Sequence, residues 1–305
     1  MFSKISKLIF KKDGTAQAIA MHRLIETLAK EDKRIITDSF AINFVFGGPL
    51  FKIMGYKFNT WLSKKIIPGL HEHLITRTNY LDNIIKKCIL NGTKQYVILA
   101  AGYDSRANRL KLSSDVKIFE LDQYEVQKRK LSILDSIIPR SKKITYLEID
   151  FNHNSITKTL LNAGFDTEKN TIFTLEGISQ YITKDAFHST LKEISQLTKK
   201  SKSTIFFSYT DSIINKSPQY LFGKNYPNPR KIIVRIKKIV NALSEPWISF
   251  YSIHEIKELL SKSNFKLKEI KNIKTLNYKY FTHKDRKIDK KNLFNLENFV
   301  VAQNF

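Results

Sequence analysis

The chain has 305 residues, 42% of them hydrophobic and 26% charged, with 52 lysines and arginines against 28 aspartates and glutamates for a net charge of +24. This composition excludes a disordered chain, and the single cysteine, Cys88, excludes an internal disulfide or a metal site built from several thiolates. Apolar runs such as Tyr96–Ala101 fall far short of the ~18 residues of a membrane-spanning helix.

Scarce cysteine favours a reducing compartment, so a cytoplasmic location is expected. The positive excess attracts nucleic acid, anionic lipid or acidic ligands. The lysines are dispersed, however. Clusters such as Lys128-Arg129-Lys130 and Lys237-Lys238 stay short and carry no interleaved aromatics, so no specific nucleic-acid site is expected.

In chain order, residues 1–12 set Phe2, Ile5 and Ile9 on one helical face against Lys4, Lys7 and Lys11. That pattern suits weak contact with a membrane surface, or a frayed terminal helix docked on its own protein. The segment lacks the long apolar centre and small-residue site of a secretory signal. Residues 15 to about 92 read as helical, with Met21, Leu24, Ile25 and Leu28, then Leu81, Ile84, Ile85 and Cys88, at helical spacing. Gly47-Gly48-Pro49 divides that block and Asn91-Gly92 ends it.

Short apolar runs then alternate with amphipathic stretches: Tyr96–Ala101, Val116–Leu121, Ile144–Ile149, Thr171–Leu175, Thr204–Ser208 and Phe299–Ala302. Helices are expected at Ala186–Leu197 and His254–Leu260. Strands apolar on both faces predict an α/β fold with a mostly parallel sheet covered on both sides. A proline-containing excursion is expected at about residues 212–247. Residues 1–92 thus read as a helical cap on a core formed by residues 93–305.

Ligands of such sheets sit beyond the carboxyl ends of the strands. The first strand runs into Gly102-Tyr103-Asp104-Ser105, where Gly102 permits a tight turn and Asp104 or Ser105 can cap a helix. There is no G-x-G-x-x-G or G-K-[ST] pattern for a dinucleotide or a triphosphate. The second strand ends at Asp122, twenty residues after Gly102, where a carboxylate can accept both ribose hydroxyls; a merely solvated strand end is the competing reading. The third offers Asp150 and Phe151, suited to an adenine amino group and ring, and the fourth offers Glu176-Gly177. Acids gathered at one sheet edge of a basic chain suit a hydroxyl- and amine-rich cation, S-adenosylmethionine above all.

The stretches ITRTNYLDNII (75–85), QYVILAAGYDSRANRL (95–110), FELDQYEVQKRK (119–130), YLEIDF (146–151) and TLEGISQYIT (174–183), and more loosely residues 245–267, resemble the leucine carboxyl methyltransferase-like family of class I S-adenosylmethionine-dependent methyltransferases. That family includes bacterial polyketide O-methyltransferase-like members. The resemblance implies a Rossmann-like, mostly parallel seven-stranded sheet flanked by helices, with an N-terminal helical lid. It implies cofactor-binding roles for Arg77 on the cofactor carboxylate, Gly102 in the cofactor loop, Asp122 on the ribose, Asp150 and Phe151 on the adenine side, and Glu176 at the methionine end. Ala100 departs from a glycine usual in the first motif, Phe151 from leucine, and Ser39 from proline.

No catalytic residue stands out. His71-Glu72-His73 places its histidines on diverging sides of a helix, so no metal is expected. His153, His188 and His254 are candidate bases, and equally surface or packing residues. Tyr181 and Tyr209 follow strands and could line an acceptor pocket or fill the core, while Arg106 and Arg109 are expected to hold the first helix or pair with acids. The implied reaction is O-methylation of a small-molecule carboxylate or hydroxyl; the alternatives are a tRNA-type RNA methyltransferase and a non-catalytic binding protein.

Overall fold

In the computed structural model, which describes residues 14–304 apart from 152, 287 and 289–292, four helices precede the first strand. They are α1 Gly14–Thr27, α2 Ala41–Phe44, α3 Gly48–Ile66 and α4 Leu70–Leu90. The amphipathic segment expected at residues 1–12 lies outside the described residues. Gly47 takes φ +69° just before α3, whose first turn holds Pro49 at a position that needs no N–H donor. Gly92, at φ +90°, closes the turn after α4.

From there strands and helices alternate: β1 Gln95–Leu99, α5 Arg106–Arg109, β2 Lys117–Asp122, α6 Tyr124–Asp135, β3 Ile144–Glu148, α7 Ile156–Asn162, β4 Thr171–Leu175, α8 Lys184–Leu197 and β5 Ser203–Thr210. The chain continues through α9 Pro229–Ala242, α10 Ile253–Lys262, β6 Phe265–Lys271, α11 Ile273–Tyr280 and β7 Glu297–Asn304. The sheet order is β3-β2-β1-β4-β5-β7-β6, with β7 antiparallel to both neighbours and the other pairs parallel. Six of these strands are the apolar runs read in the sequence. The seventh, β6, interleaves lysines with its apolar residues at the sheet edge and so lacks an apolar run.

The period of two along each strand builds a core on each face of the sheet. Val97, Leu99, Phe173 and Phe207 face Phe187, Leu191 and Ile194 of α8 and Ile256 and Leu260 of α10. Tyr96, Ile98, Ile172 and Phe206 face Ile75, Leu81 and Ile85 of α4 and Leu276 of α11. Each fully buried aromatic or aliphatic side chain contributes roughly 1.5–3 kcal/mol. The excursion before α10 forms its own cluster, in which Ile232, Ile233 and Ile236 of α9 pack with Phe222, Tyr226 and Phe294. Strand order reverses between β1 and β4, which opens a crevice at their carboxyl ends.

Candidate active site

A cavity of about 470 Å³ occupies that crevice. Its floor is the β1 turn, Ala100–Asp104, together with Asp122 and the Glu176-Gly177 turn after β4. The helical block and the segment after the excursion's α9 both contribute walls: Thr15, Ala16, Ile19 and Arg23 from α1, and Ser244–Pro246 with Ile248 after α9.

Two residues of the β1 turn take left-handed backbone, Gly102 at φ +48° and Ala100 at φ +53°. The turn is held from two sides. The Gly102 N–H donates to Asp122 Oδ2, and the Gln123 N–H donates to Asp122 Oδ1 at 2.7 Å. The 20-residue spacing read from the sequence is therefore a direct contact. Asp104 Oδ1 accepts from the Arg106 N–H at 2.7 Å and caps α5, which is a single turn. From the other side, Asp38 accepts from Arg23 Nε at 2.7 Å and Ser105 Oγ at 2.6 Å, while Arg23 Nη2 donates to the Tyr103 carbonyl at 2.5 Å. The Asp38-Ser39-Phe40-Ala41 stretch thus ties the helical block to the turn.

Beneath the cavity lies a buried ion network. Arg77 of α4 donates from Nε to Glu176 Oε1 at 2.7 Å and from Nη1 to Glu297 Oε2 at 2.5 Å. Arg106 Nη1 meets the other Glu176 oxygen at 2.5 Å and Asp104 at 2.6 Å, and its Nε meets Asp82 at 2.7 Å. Arg109 holds Asp82 with two bonds, as expected of a fork facing a carboxylate. Four carboxylates thus face three guanidiniums, so a cationic ligand meets a slightly negative floor.

Burial alone would push the Glu297 carboxyl up. The Arg77 charge, then His73 and Ser208, overcome it and hold the group at about 2. Asp104 is likewise held at about 2 against burial, chiefly by Arg106. His73 Nε2 sits 3.1 Å from Glu297, and burial lowers its pKa, so the imidazole is neutral and donates to the carboxylate. Ser208 Oγ donates to Glu297 at 2.8 Å and accepts the Gly177 N–H at 2.9 Å, completing a path from β7 to the β4 turn.

Of the six residues expected to bind a cofactor, Arg77, Gly102, Asp122, Phe151 and Glu176 line this one cavity. Asp150 does not; its side chain is partly exposed and lies 3.8 Å from His153 Nε2. The grip on the cofactor carboxylate expected of Arg77 also meets competition, because Glu176 and Glu297 already take Nε and Nη1. Tyr181 lines the cavity, whereas Tyr209 is buried among core aromatics and aliphatics. No histidine lines the cavity among the described residues, so His153, His188 and His254 all lie elsewhere. His71 and His73 diverge as expected, toward Glu26 and Glu297 respectively, and the described residues hold no cluster suited to a metal ion.

The sequence reading missed Glu297 and underestimated Arg106. Glu297 opens an apolar strand, and an acid in such a run was the only signal. Arg106 pairs with acids as expected, and it also lines the cavity.

The family model described as leucine carboxyl methyltransferase matches residues 16–195. The chain belongs to the leucine carboxyl methyltransferase family. Relatives include a predicted S-adenosyl-L-methionine-dependent methyltransferase of Frankia alni, 28% identical over 245 residues that span 77% of this chain and 71% of that protein. One from Bacillus subtilis is 27% identical over 214 residues, spanning 69% and 66% of the two chains. A DUF574 family protein from Streptomyces avermitilis shares the fold with a TM-score of 0.58 at 12% identity, covering 93% of this chain and 97% of that one. A predicted methyltransferase from Thermobifida fusca does so at 0.53 and 16%, covering 82% and 89%. The protein is therefore an S-adenosylmethionine-dependent methyltransferase of class I fold.

The residues present fit that cofactor, since Asp104, Asp122 and Glu176 all line the cavity and suit its cationic, hydroxyl-bearing groups. A Cβ on Gly177 would lie 3.0 Å from Arg77 Nη1, and one on Gly102 would lie 3.3 Å from Ala16 Cβ. Glycine at both positions lets the chain's own Arg77 and Ala16 pack directly against the two turns that floor the cavity.

Proposed function

We propose that this methyltransferase O-methylates a small molecule, with a carboxylate the favoured acceptor and a hydroxyl the alternative. Asp122, at the carboxyl end of β2 and on the cavity wall, would hold the ribose through its carboxylate. Phe151 would pack on the adenine, with Asp150 beside it, and Gly102 would let the cofactor approach the β1 turn. Glu176 would face the methionine end, and Arg77 would reach the cofactor carboxylate with Nη2, which has no bond to a described residue.

The observation that carries the acceptor class is the far wall. The Tyr181 hydroxyl lies beside Thr15 and Trp247, and burial keeps it protonated. Thr15 Oγ1 and Trp247 Nε1 find no hydrogen-bond partner among the described residues. Tyr181 and Thr15, both lining the cavity, bring neutral hydroxyl donors that suit an anionic oxygen. Ile178, Ile182 and Ile248 around them suit an apolar body. With no histidine on the walls, an acceptor already ionised at neutral pH needs no proton removed.

Bound in this cavity, S-adenosylmethionine supplies an electrophilic sulfonium methyl. The chain's own part is alignment and exclusion of water: the β1 turn and the Glu176 clamp fix one side, and α1 with residues 244–248 closes the other. The test is mass spectrometry of a cell extract incubated with the enzyme and isotopically labelled cofactor, followed by alkali treatment of the product. Alkali-labile label released as methanol supports a methyl ester, and alkali-stable label on oxygen supports the hydroxyl alternative. Label on nitrogen or carbon, or on tRNA, overturns the proposal. Tyr181→Phe is expected to raise the acceptor KM about tenfold or more, in line with ~1.5–3 kcal/mol for a hydrogen bond to a charged group, with cofactor affinity unchanged.

A further inference from the structure

The helix α3 turns large apolar side chains outward as well as packing Phe51 inward. Its inner face buries Asn59 and Ser63, while large apolar side chains stand in solvent. Ile53 is 82% exposed, Leu50 56% and Trp61 54%, with Phe58 and Ile66 also exposed, and Phe46, two residues before the helix, is 65% exposed. Scattered exposed apolar residues need no explanation, but a gathering on one element does. The exposure follows from a built feature. Gly55, at φ +70°, breaks the helix, and Asn59 Nδ2 holds the break by donating to the Phe51 and Gly55 carbonyls, each at 2.8 Å. Hydrogen bonding thus occupies the inner face around the kink.

Charge says what covers the outer face. From Ser39 to His71 there is no acidic residue, while Lys52, Lys57, Lys64 and Lys65 all lie on α3. The Phe58 and Trp61 rings touch at 5.7 Å, and the Lys65 ammonium lies 5.9 Å from the Trp61 ring centroid. Tryptophan and phenylalanine interleaved with lysine is the composition of a helix lying in a lipid headgroup layer. A second copy of this chain would bring two such lysine sets together with no acid on either helix, in a protein that already carries +24. Nucleic acid would leave Leu50, Ile53 and Ile66 without partners, and no arginine occurs between Arg34 and Arg77 to stack on bases.

We propose that α3 docks this methyltransferase peripherally on an anionic lipid surface, with the apolar side chains entering the headgroup layer and the four lysines meeting the lipid phosphates. The face is coupled to the cavity wall. The Phe46 N–H, at the edge of the patch, donates at 3.3 Å to Gln17 of α1, whose neighbour Ala16 lines the cavity.

The test is flotation of the full chain with phosphatidylcholine vesicles prepared with and without phosphatidylglycerol. It compares wild type with Ile53→Glu/Trp61→Glu, both exposed positions, and uses thermal unfolding to verify that the variant is folded. Wild type is expected to float with the anionic vesicles, less so at high salt, with a blue shift of tryptophan emission. The variant is expected to partition at least about tenfold less. Failure of wild type to float, or equal partition of the two proteins, overturns the proposal. So does a wild-type dimer in sedimentation that the variant dissolves, or single-stranded RNA binding lost in the same variant. Vesicle binding needs neither cofactor nor acceptor, so this result stands apart from the assignment of the methyl acceptor.

Discussion

Ala100 is a residue whose cost can be read directly. The family's usual residue there is glycine, and the backbone explains why: φ is +53°, a region that costs a side chain-bearing residue roughly 1–2 kcal/mol. Replacing it by glycine removes that cost but returns about 0.4–1 kcal/mol of unfolded-chain entropy. Ala100→Gly is therefore expected to stabilise the protein by about 0.5–1 kcal/mol, measured by denaturant unfolding. A destabilised variant would mean that the methyl group packs usefully. The two acids of β2 separate in the same way. Asp122 lines the cavity and holds the Gly102 N–H, whereas Glu120 is buried beneath it against Lys130. Asp122→Ala is expected to weaken cofactor binding at least about tenfold in calorimetry. Glu120→Ala is expected instead to cost about 3–5 kcal/mol of stability, because it leaves Lys130 buried and unpaired.

At the scale of elements, β7 carries more of the site than its position in the chain suggests. It lies between β5 and β6, and its first residue supplies the carboxylate that holds Arg77. Glu297→Gln keeps the shape and removes the charge, so Arg77 is left with Glu176 alone at that end. Weaker cofactor binding is expected together with a loss of about 3 kcal/mol of stability, both read from ligand-shifted thermal unfolding. Glu297 was not legible as a site residue because it acts only through a contact between elements distant in sequence. The strand ends were legible, because a parallel sheet brings the residue after each strand to one edge: Gly102, Asp122, Phe151 and Glu176 meet there. The β6 strand was hidden by its edge position, where lysines interleave its apolar residues. The family resemblance supplied Arg77, which sits within α4 and which no strand-end rule would find.

Over the whole molecule, charge sets the response to acid. Glu297 and Asp104 each sit at about 2 in the folded state, below the 4.5 and 3.8 of the free side chains. A depressed carboxyl contributes stability that is fully present above its unfolded pKa and is lost as pH falls through the folded one. Each group therefore contributes on the order of 2–3.5 kcal/mol at neutral pH, and that contribution disappears between about pH 4.5 and 2. Repulsion acts in the same direction. As the 28 carboxylates and 7 histidines take up protons, the 52 lysines and arginines lose their counter-charges in a chain that already carries +24. Unfolding followed by circular dichroism is expected to show a stability plateau above pH 5 and a steep fall below pH 4.5. Added salt should restore part of the loss by screening the dispersed lysines, but little of what the buried Arg77–Glu297 pair contributed. In Glu297→Gln the fall should be shallower, because one of the titrating groups is gone. An unchanged acid profile in that variant would show that Glu297 does not contribute to the transition.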